Sequence, residues 1–174
     1  GIVLISVLVL PLSGVGSQAL FYMETSDISE KPYARMQDYV FKIVGIYVFL
    51  TLSCALLYYQ FGMSVFDAIN HSLTTISTGG FSTHDNSMGY FHSNSILVTS
   101  TIFMVLGGFP FLFLIRVFSR QWIWDEQIEY FILSSLILSG LVFIFLPSEF
   151  EGGKIDGLVK SIFNVVSIVT TTGY

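Results

Sequence analysis

Ser77-Thr78-Gly79-Gly80-Phe81 and, far along the chain, Thr170-Thr171-Thr172-Gly173-Tyr174 are two versions of one short pattern. With Phe81 placed over Tyr174, Thr78 falls on Thr171, Gly79 on Thr172 and Gly80 on Gly173. Ser77 then falls on Thr170, Ile76 on Val169, Thr74 on Ser167, His71 on Asn164 and Ile69 on Ile162. The shared core is a threonine, a glycine two residues on, and an aromatic directly after it. A single Thr-x-Gly-aromatic match occurs by chance in many proteins. Here each copy follows a full-length apolar run and then a half-length one, so the unit that repeats is span, short helix, loop and, in the first copy, a second span.

Working outward from the first copy, Ser64 to about Ser77 is a short periodic run. Ser64 and Asp67 give it the Ser-x-x-Asp start signal of a helix. Upstream, Ile43 to Phe61 reads as a transmembrane helix, with Tyr58 and Tyr59 suited to a membrane interface and Gly62 as a C-cap. Downstream, Ser82 to Asn94 is a polar loop holding His84, Asp85 and His92. Ser95 to Phe118 is a long apolar helix interrupted by Gly107, Gly108 and Pro110, and Arg116, Arg120, Trp122 and Trp124 mark its exit from the bilayer. Outward from the second copy, Ile128 to Leu146 is a further span. Pro147 to Lys160 is a loop with Glu149, Glu151, Gly152, Gly153 and Asp156, and Leu158 to Thr170 is again a short helical run. Gly1 to about Tyr22 reads as the end of a transmembrane helix that bends near Pro11, and Met23 to Lys42 as an exposed loop.

Composition agrees with a membrane setting. Of 174 residues, 53% are hydrophobic and 11% charged, against about 25% charged in a soluble protein. No Asp, Glu, Lys or Arg lies between Lys42 and Asp67, Asp85 and Arg116, or Glu129 and Glu149. About 20 apolar residues suffice to cross the hydrocarbon core. Lys31, Arg35, Lys42, Arg116 and Arg120 lie on one side of the spans, and Lys154 and Lys160 on the other. Cytoplasmic loops carry the basic excess, so both Thr/Gly loops are expected to face outward. A net charge of −5 with no basic patch excludes nucleic-acid binding. The single cysteine, Cys54, has no intrachain partner and reads as a packing residue, and no Cys/His cluster suggests zinc. The chain opens on Gly1 within an apolar run that lacks a basic n-region. It is therefore expected to be a piece of a longer polypeptide rather than to begin with a signal peptide.

The chemistry expected of such loops is ion coordination. A cation entering a bilayer must shed water, and rings of backbone carbonyls replace that water in potassium filters. Such a backbone needs glycine where φ is unusual. The C-terminal end of the short helix carries a partial negative charge that favours a cation. Non-helical backbone at membrane depth is tolerated only where protein or a watery cavity covers it.

Ile76-Ser77-Thr78-Gly79-Gly80-Phe81-Ser82-Thr83-His84-Asp85 resembles the second pore loop of the Trk/Ktr/HKT superfamily of potassium transporters, most closely its bacterial TrkH branch. Phe66-Asp67-Ala68 before it and Gly89-Tyr90-Phe91 after it fit the same pattern, and Val165 to Tyr174 resembles the third pore loop. The resemblance implies an all-α transmembrane fold of repeated span–pore helix–filter loop–span units forming part of a potassium-channel-like pore. It implies residues 1–22 as the outgoing helix of repeat one, 23–42 as a cytoplasmic loop, 43–118 as repeat two, 119–127 as a cytoplasmic loop, and 128–174 as the start of repeat three. It further implies K⁺ uptake across the bacterial cytoplasmic membrane, with Thr78, Gly79, Gly80, Phe81, Thr171, Thr172, Gly173 and Tyr174 as filter residues. The partners implied are membrane lipid, a second copy in a homodimer, and a cytosolic nucleotide-binding subunit of the TrkA type. No cofactor is implied beyond K⁺ itself.

Several residues stay open to two readings. His71 suits either tuning of the field near an ion or a hydrogen-bonded packing role. His84 and Asp85 suit an outer mouth that attracts cations, or a capped loop. Glu149, Glu151 and Asp156 suit a cation-concentrating patch or an ordinary wetted loop. Gly107 and Gly108 suit a hinge or close helix packing, and Thr99, Ser100 and Thr101 are expected to bond backbone. The rival functions are a Na⁺-permeable relative, a membrane enzyme and a non-conducting scaffold. The enzyme lacks ionisable groups in the spans, and the scaffold leaves the paired loops without a purpose.

Overall fold

Apolar runs that cannot bond their backbone to water must close their hydrogen bonds internally, and here they do so as helices. The computed structural model describes residues 33–118, 126–145 and 153–174. The expectations for 1–22, for 23–32, and for Arg120, Trp122, Trp124, Pro147, Glu149 and Glu151 lie outside the described residues. The chain forms two compact units, 1–46 and 47–174. Of the first, residues 33–46 are helical, and the packing contacts that follow lie within the second.

The helices in chain order are α1 (Tyr33–Gln60), α2 (Val65–Ile76), α3 (Asn94–Gly108), α4 (Phe111–Phe118), α5 (Glu126–Phe145) and α6 (Lys154–Val169), with a 3-10 turn at Ser87–Phe91 between α2 and α3. The segments Lys42–Gln60 and Glu126–Phe145 are long and apolar enough to cross a bilayer. α1 begins ten residues before the expected start of its span, so 33–42 is helix where a loop was expected. Ala34, Met36, Gln37 and Lys42 favour helix, and no Gly or Pro interrupts them. The charge-based border of the span still holds, because the apolar part starts at Lys42. α6 likewise begins at Lys154, inside the expected loop. Asp156 in its first turn favours the helix N-terminus and pairs with Lys160 at 2.7 Å, one turn on.

The long run Ser95 to Phe118 is broken into α3 and α4 at Phe109–Pro110. Pro110 has no N–H to donate, and the residue before a proline is pushed to extended backbone. Phe109 accordingly has φ −73° and ψ 148°.

The helices face inside out by soluble standards. α5 buries Ser135 and Ser139 and exposes Leu133, Leu136, Ile137, Leu141 and Ile144. Both serine hydroxyls donate to carbonyls one turn back, those of Phe131 and Ser135, so neither is left unsatisfied. In α1, Leu50, Cys54 and Tyr58 are buried while Phe49, Leu52 and Leu56 are exposed. Lipid tails are as apolar as leucine, so such faces carry no penalty there and small polar residues mediate the helix contacts. α3 is the hub: it packs against α2, α6 and the 3-10 turn, while α5 packs against α6.

Candidate functional site

Both short helices end by bending their chain into a loop with the same bonding pattern. The Ser77 N–H donates to the Leu73 carbonyl (3.1 Å), as that of Thr170 does to Val166 (2.8 Å). Thr78 donates to Thr75 (3.2 Å), as Thr171 does to Ile168 (3.0 Å). Gly79 donates to Thr74 (2.7 Å), as Thr172 does to Ser167 (2.9 Å). Each of these pairs is the pair that the sequence alignment sets over one another. The backbone angles repeat as well: φ is 49° at Thr78 and 59° at Thr171, then 66° at Gly80 and 75° at Gly173. Left-handed φ is cheap for glycine and costly for a β-branched residue. Two threonines held there carry strain on the order of 1–3 kcal/mol each, which persists only where the surroundings impose it.

This bonding turns the N–H groups of 77–79 and 170–172 back onto the helix ends, with Gly173 added in the later loop (3.1 Å to the Ser167 carbonyl), and leaves the carbonyls for something else. Among the described residues, no hydrogen bond is accepted by the backbone carbonyls of 77–80 or 170–173. The two loops also meet. A Cβ on Gly80 would overlap the carbonyl oxygen of Thr172 and lie 2.8 Å from its carbonyl carbon. Gly80 is therefore glycine for two reasons, its positive φ and the neighbouring loop.

α3 holds both loops from behind. A Cβ on Gly107 would lie 2.6 Å from the carbonyl oxygen of Ile76, and one on Gly108 would lie 3.4 Å from Cγ2 of Thr170. The pair is thus a ledge on which the ends of α2 and α6 both rest. Close packing accounts for it, and the chain break falls two residues later.

The aromatic residues diverge. Phe81 is 75% exposed. The Tyr174 ring instead reaches into the first copy of the repeat, where its hydroxyl lies 2.8 Å from Thr74 Oγ1, 2.7 Å from Thr75 Oγ1 and 3.1 Å from the His71 carbonyl. Its backbone N–H donates to Ser167 Oγ (2.8 Å). Thr170 and Thr172 share a hydroxyl bond of 2.8 Å within the later loop, where the earlier loop has Ser77 and Gly79.

His71 is fully buried and bonded at both ring nitrogens, Nδ1 to the Asp67 carbonyl and Nε2 to Ser82 Oγ, each at 2.9 Å. The packing reading fits it: the ring ties the residue after Phe81 to α2. Asp67 organises the start of α2. It caps α2 with Ser64, whose Oγ accepts from the Asp67 N–H and donates to Oδ2 at 2.7 Å. Thr83 donates to Oδ1 at 2.6 Å, and His84 Nε2 lies 3.4 Å from the same oxygen. The hydrogen bonds from Thr83 and Ser64 hold the Asp67 carboxyl below the usual carboxylate range. His84 stacks on Tyr90 at 3.7 Å between ring centres, so it is built into the loop, while Asp85 is exposed. Asp156 is engaged by Lys160, which holds its carboxyl below the usual range.

Sequence reasoning missed one residue here. Tyr58, expected at the membrane interface, is fully buried, and its hydroxyl bonds Thr75 Oγ1 (2.9 Å) and Ser100 Oγ (2.8 Å). Tyr59 is the exposed one of the two. The available signal was that Tyr58, Thr75 and Ser100 are hydroxyl residues on three apolar helices, and buried hydroxyls seek partners. Thr99, Ser100 and Thr101 do bond backbone, each to the carbonyl one turn back.

The TrkH family, described as cation transport protein, matches residues 1–146. The chain is 36% identical to the Trk system potassium uptake protein TrkH of Halomonas elongata, and 34% identical to that of Escherichia coli K12. Each match covers 100% of this chain, and 37% and 38% of the relatives respectively. The crystal structure of the potassium transporter TrkH from Vibrio parahaemolyticus superposes with a TM-score of 0.78 at 31% identity, covering 100% of this chain and 36% of that one. The chain thus spans little more than a third of the length of the relatives it matches. Its helices form an all-α transmembrane fold, and the membrane-protein reading and the family resemblance of the pore loops lead to one conclusion: the chain belongs to the TrkH family of cation transport proteins.

Proposed function

We propose that this protein moves K⁺ into the cell through a pore whose selectivity filter includes the two loops described here. The observation that carries the reading is the duplicated loop backbone. The N–H groups of 77–79 and 170–173 are taken up by the short helices, and the loop carbonyls are left to replace water around a cation. Thr78, Gly79, Gly80 and Phe81, with Thr171, Thr172, Gly173 and Tyr174, are the filter residues. The C-terminal ends of α2 and α6 add partial negative charge next to these loops. The relatives' names, as potassium uptake proteins, support K⁺ as the ion.

In this reading residues 43–118 form the second repeat and 128–174 the start of the third, with 1–22 the outgoing helix of the first. Residues 23–42 and 119–127 face the cytoplasm, 33–42 as helix. His84 and Asp85 flank the outer mouth. The protein sits as a multi-pass protein in the bacterial cytoplasmic membrane, as a homodimer, and is regulated by a nucleotide-binding subunit of the TrkA type. The enzyme alternative drops away, since the family is one of transport proteins.

The test is K⁺ uptake by the full-length protein in cells lacking their own potassium uptake, at limiting K⁺, with the regulatory subunit supplied. Wild type is expected to rescue growth, and Gly80→Ser, at matched membrane levels, to lose K⁺ uptake or its preference over Na⁺. A well-inserted wild type that carries no K⁺ overturns the proposal. Equal Na⁺ and K⁺ transport by wild type would favour the Na⁺-permeable relative.

A further inference from the structure

The polar groups behind the filter form a chain that the carbonyl mechanism does not use. It runs from Thr74 Oγ1 to the Tyr174 hydroxyl (2.8 Å), to Thr75 Oγ1 (2.7 Å), to the Tyr58 hydroxyl (2.9 Å) and to Ser100 Oγ (2.8 Å). Ser100 in turn donates to the Ile96 carbonyl at 2.9 Å. Each hydroxyl has one proton to give. One assignment gives each of the five contacts along this chain a donor: Thr74 to Tyr174, Tyr174 to Thr75, Thr75 to Tyr58, Tyr58 to Ser100, and Ser100 to the Ile96 carbonyl; the Thr74 and Tyr174 protons are then shared with the Phe81 and His71 carbonyls. At its other end, Thr74 Oγ1 also lies 2.9 Å from the carbonyl oxygen of Phe81. The chain therefore begins at the earlier loop, passes through the aromatic of the later loop, and ends in α3.

Tyr58, Thr75 and Ser100 are all buried to within 0% exposure, and no water competes for their hydroxyls. Tyr58 reaches Thr75, on α2, and Ser100, on α3, from the span α1. Neither of its partners is a filter residue, and Tyr58 itself touches no filter atom by hydrogen bond. We infer that Tyr58 is a positioning residue for ion selectivity, which, through Thr75, fixes the hydroxyl of Tyr174 and with it the spacing between the two filter loops. The inference rests on the proposed pore reading and deepens it by assigning a selectivity role to a residue outside the filter.

Removing only the Tyr58 hydroxyl leaves its ring in place. Thr75 then loses its acceptor and is free to turn toward another, which releases Tyr174 from one of its two threonine contacts. A filter discriminates between ions of similar chemistry by the arrangement of its ligands, so looser spacing is felt as lost preference before it is felt as lost conduction.

The experiment compares Tyr58→Phe with wild type in the full-length protein, at matched membrane levels and matched thermal stability in detergent. K⁺ and Na⁺ uptake are measured in the same cells. The expected result is a K⁺ over Na⁺ preference lowered roughly three- to tenfold, the range that one net hydrogen bond allows, with the maximal K⁺ rate within twofold. Ser100→Ala cuts the same chain at its far end and is expected to lower the preference in the same direction. The double variant is expected to do no more than Tyr58→Phe alone. If Tyr58→Phe fails to insert, Ser100→Ala carries the test. A preference within twofold of wild type in the inserted variants overturns the inference while leaving the pore intact. Additive losses in the double variant also overturn it, since two independent packing sites would give that. A wild type that carries no K⁺ sinks the pore reading instead.

Discussion

Loops 77–81 and 170–174 share three backbone bonds and the same two left-handed positions, but have different supports. The earlier one presses its glycine against its neighbour: Gly80 has no room for a Cβ, because Thr172 fills the space. The later one has open space around Gly173 and is held instead by its side chains, through Tyr174 on Thr74 and Thr75, and through Thr170 on Thr172. The earlier aromatic has no hydroxyl and stands exposed. Repetition thus conserves the backbone shape that the chemistry needs, while each copy reaches that shape with different contacts. Equivalent substitutions in the two copies should therefore give unequal results.

The largest difference is expected at the central glycines. Gly80→Ala adds both a steric overlap with Thr172 and a strained φ, and is expected to abolish selective K⁺ uptake. Gly173→Ala adds only the strain of a left-handed alanine, about 1–2 kcal/mol, and is expected to leave a reduced but measurable uptake. Uptake assays at matched membrane levels rank the two. Equal loss at both sites would mean that Gly173 is as crowded in the assembled pore as Gly80 is here.

The ledge on α3 gives the next contrast. Gly107→Ala would press a methyl group to 2.6 Å from a backbone carbonyl at the end of α2. Overpacking of this kind costs about 1–3 kcal/mol. Gly108→Ala meets only the Thr170 methyl at 3.4 Å, an ordinary contact. Thermal unfolding in detergent should show a clear drop for the first and almost none for the second. If the pair acted as a hinge, both changes would instead alter transport kinetics with little effect on unfolding.

Much of this was legible in the sequence, and what was not has a common physical cause. The alignment of Phe81 over Tyr174 pairs the residues whose three shared backbone bonds match in the structure, because similar local sequence sets similar local backbone. The Ser64–Asp67 start signal also forms as a cap. Pro110 broke its helix for the reason its missing N–H implies. The starts of α1 and α6 lie earlier than their charges suggest, since Lys42, Lys154 and Asp156 mark the edge of an apolar run but are compatible with helix. The burial of Tyr58 is not legible in the sequence, because an interfacial tyrosine and a buried one look alike in a single sequence. What distinguishes them is a partner far along the chain, in this case Thr75 and Ser100. The meeting of Gly80 with Thr172, and the ledge at Gly107, depend on such distant neighbours as well.

A smaller contrast lies between the aromatics. Tyr174→Phe takes a hydroxyl from two threonines and the His71 carbonyl, and is expected to destabilise by about 1–3 kcal/mol. Phe81→Tyr adds a hydroxyl to an exposed ring and is expected to stay within about 0.5 kcal/mol. Melting of the two single variants beside wild type checks this. A large cost for Phe81→Tyr would show that the ring is covered in the full-length protein, and would make the two copies more alike than they are here.

The smallest effect concerns how the outer ends of the two short helices are secured. Asp67 aligns with Lys160. Asp67 accepts hydrogen bonds from Thr83 and Ser64, which stabilise its charged form and lower its pKa. A depressed carboxyl pKa contributes stability above the unfolded value, about 3.9, and that contribution disappears as pH falls through the folded value. Asp67→Asn should therefore melt below wild type at pH 6, and the gap should close as the pH is lowered through and below 4. Lys160, by contrast, makes a solvent-facing pair with Asp156. Solvent screens such a pair and leaves it little net effect, so Lys160→Met should shift melting little at either pH. A gap for Asp67→Asn that stays constant down to pH 3 would assign the role of Asp67 to the shape of its side chain. One that closes would assign it to the charge, and would mark the earlier loop as the copy whose outer anchor is electrostatic.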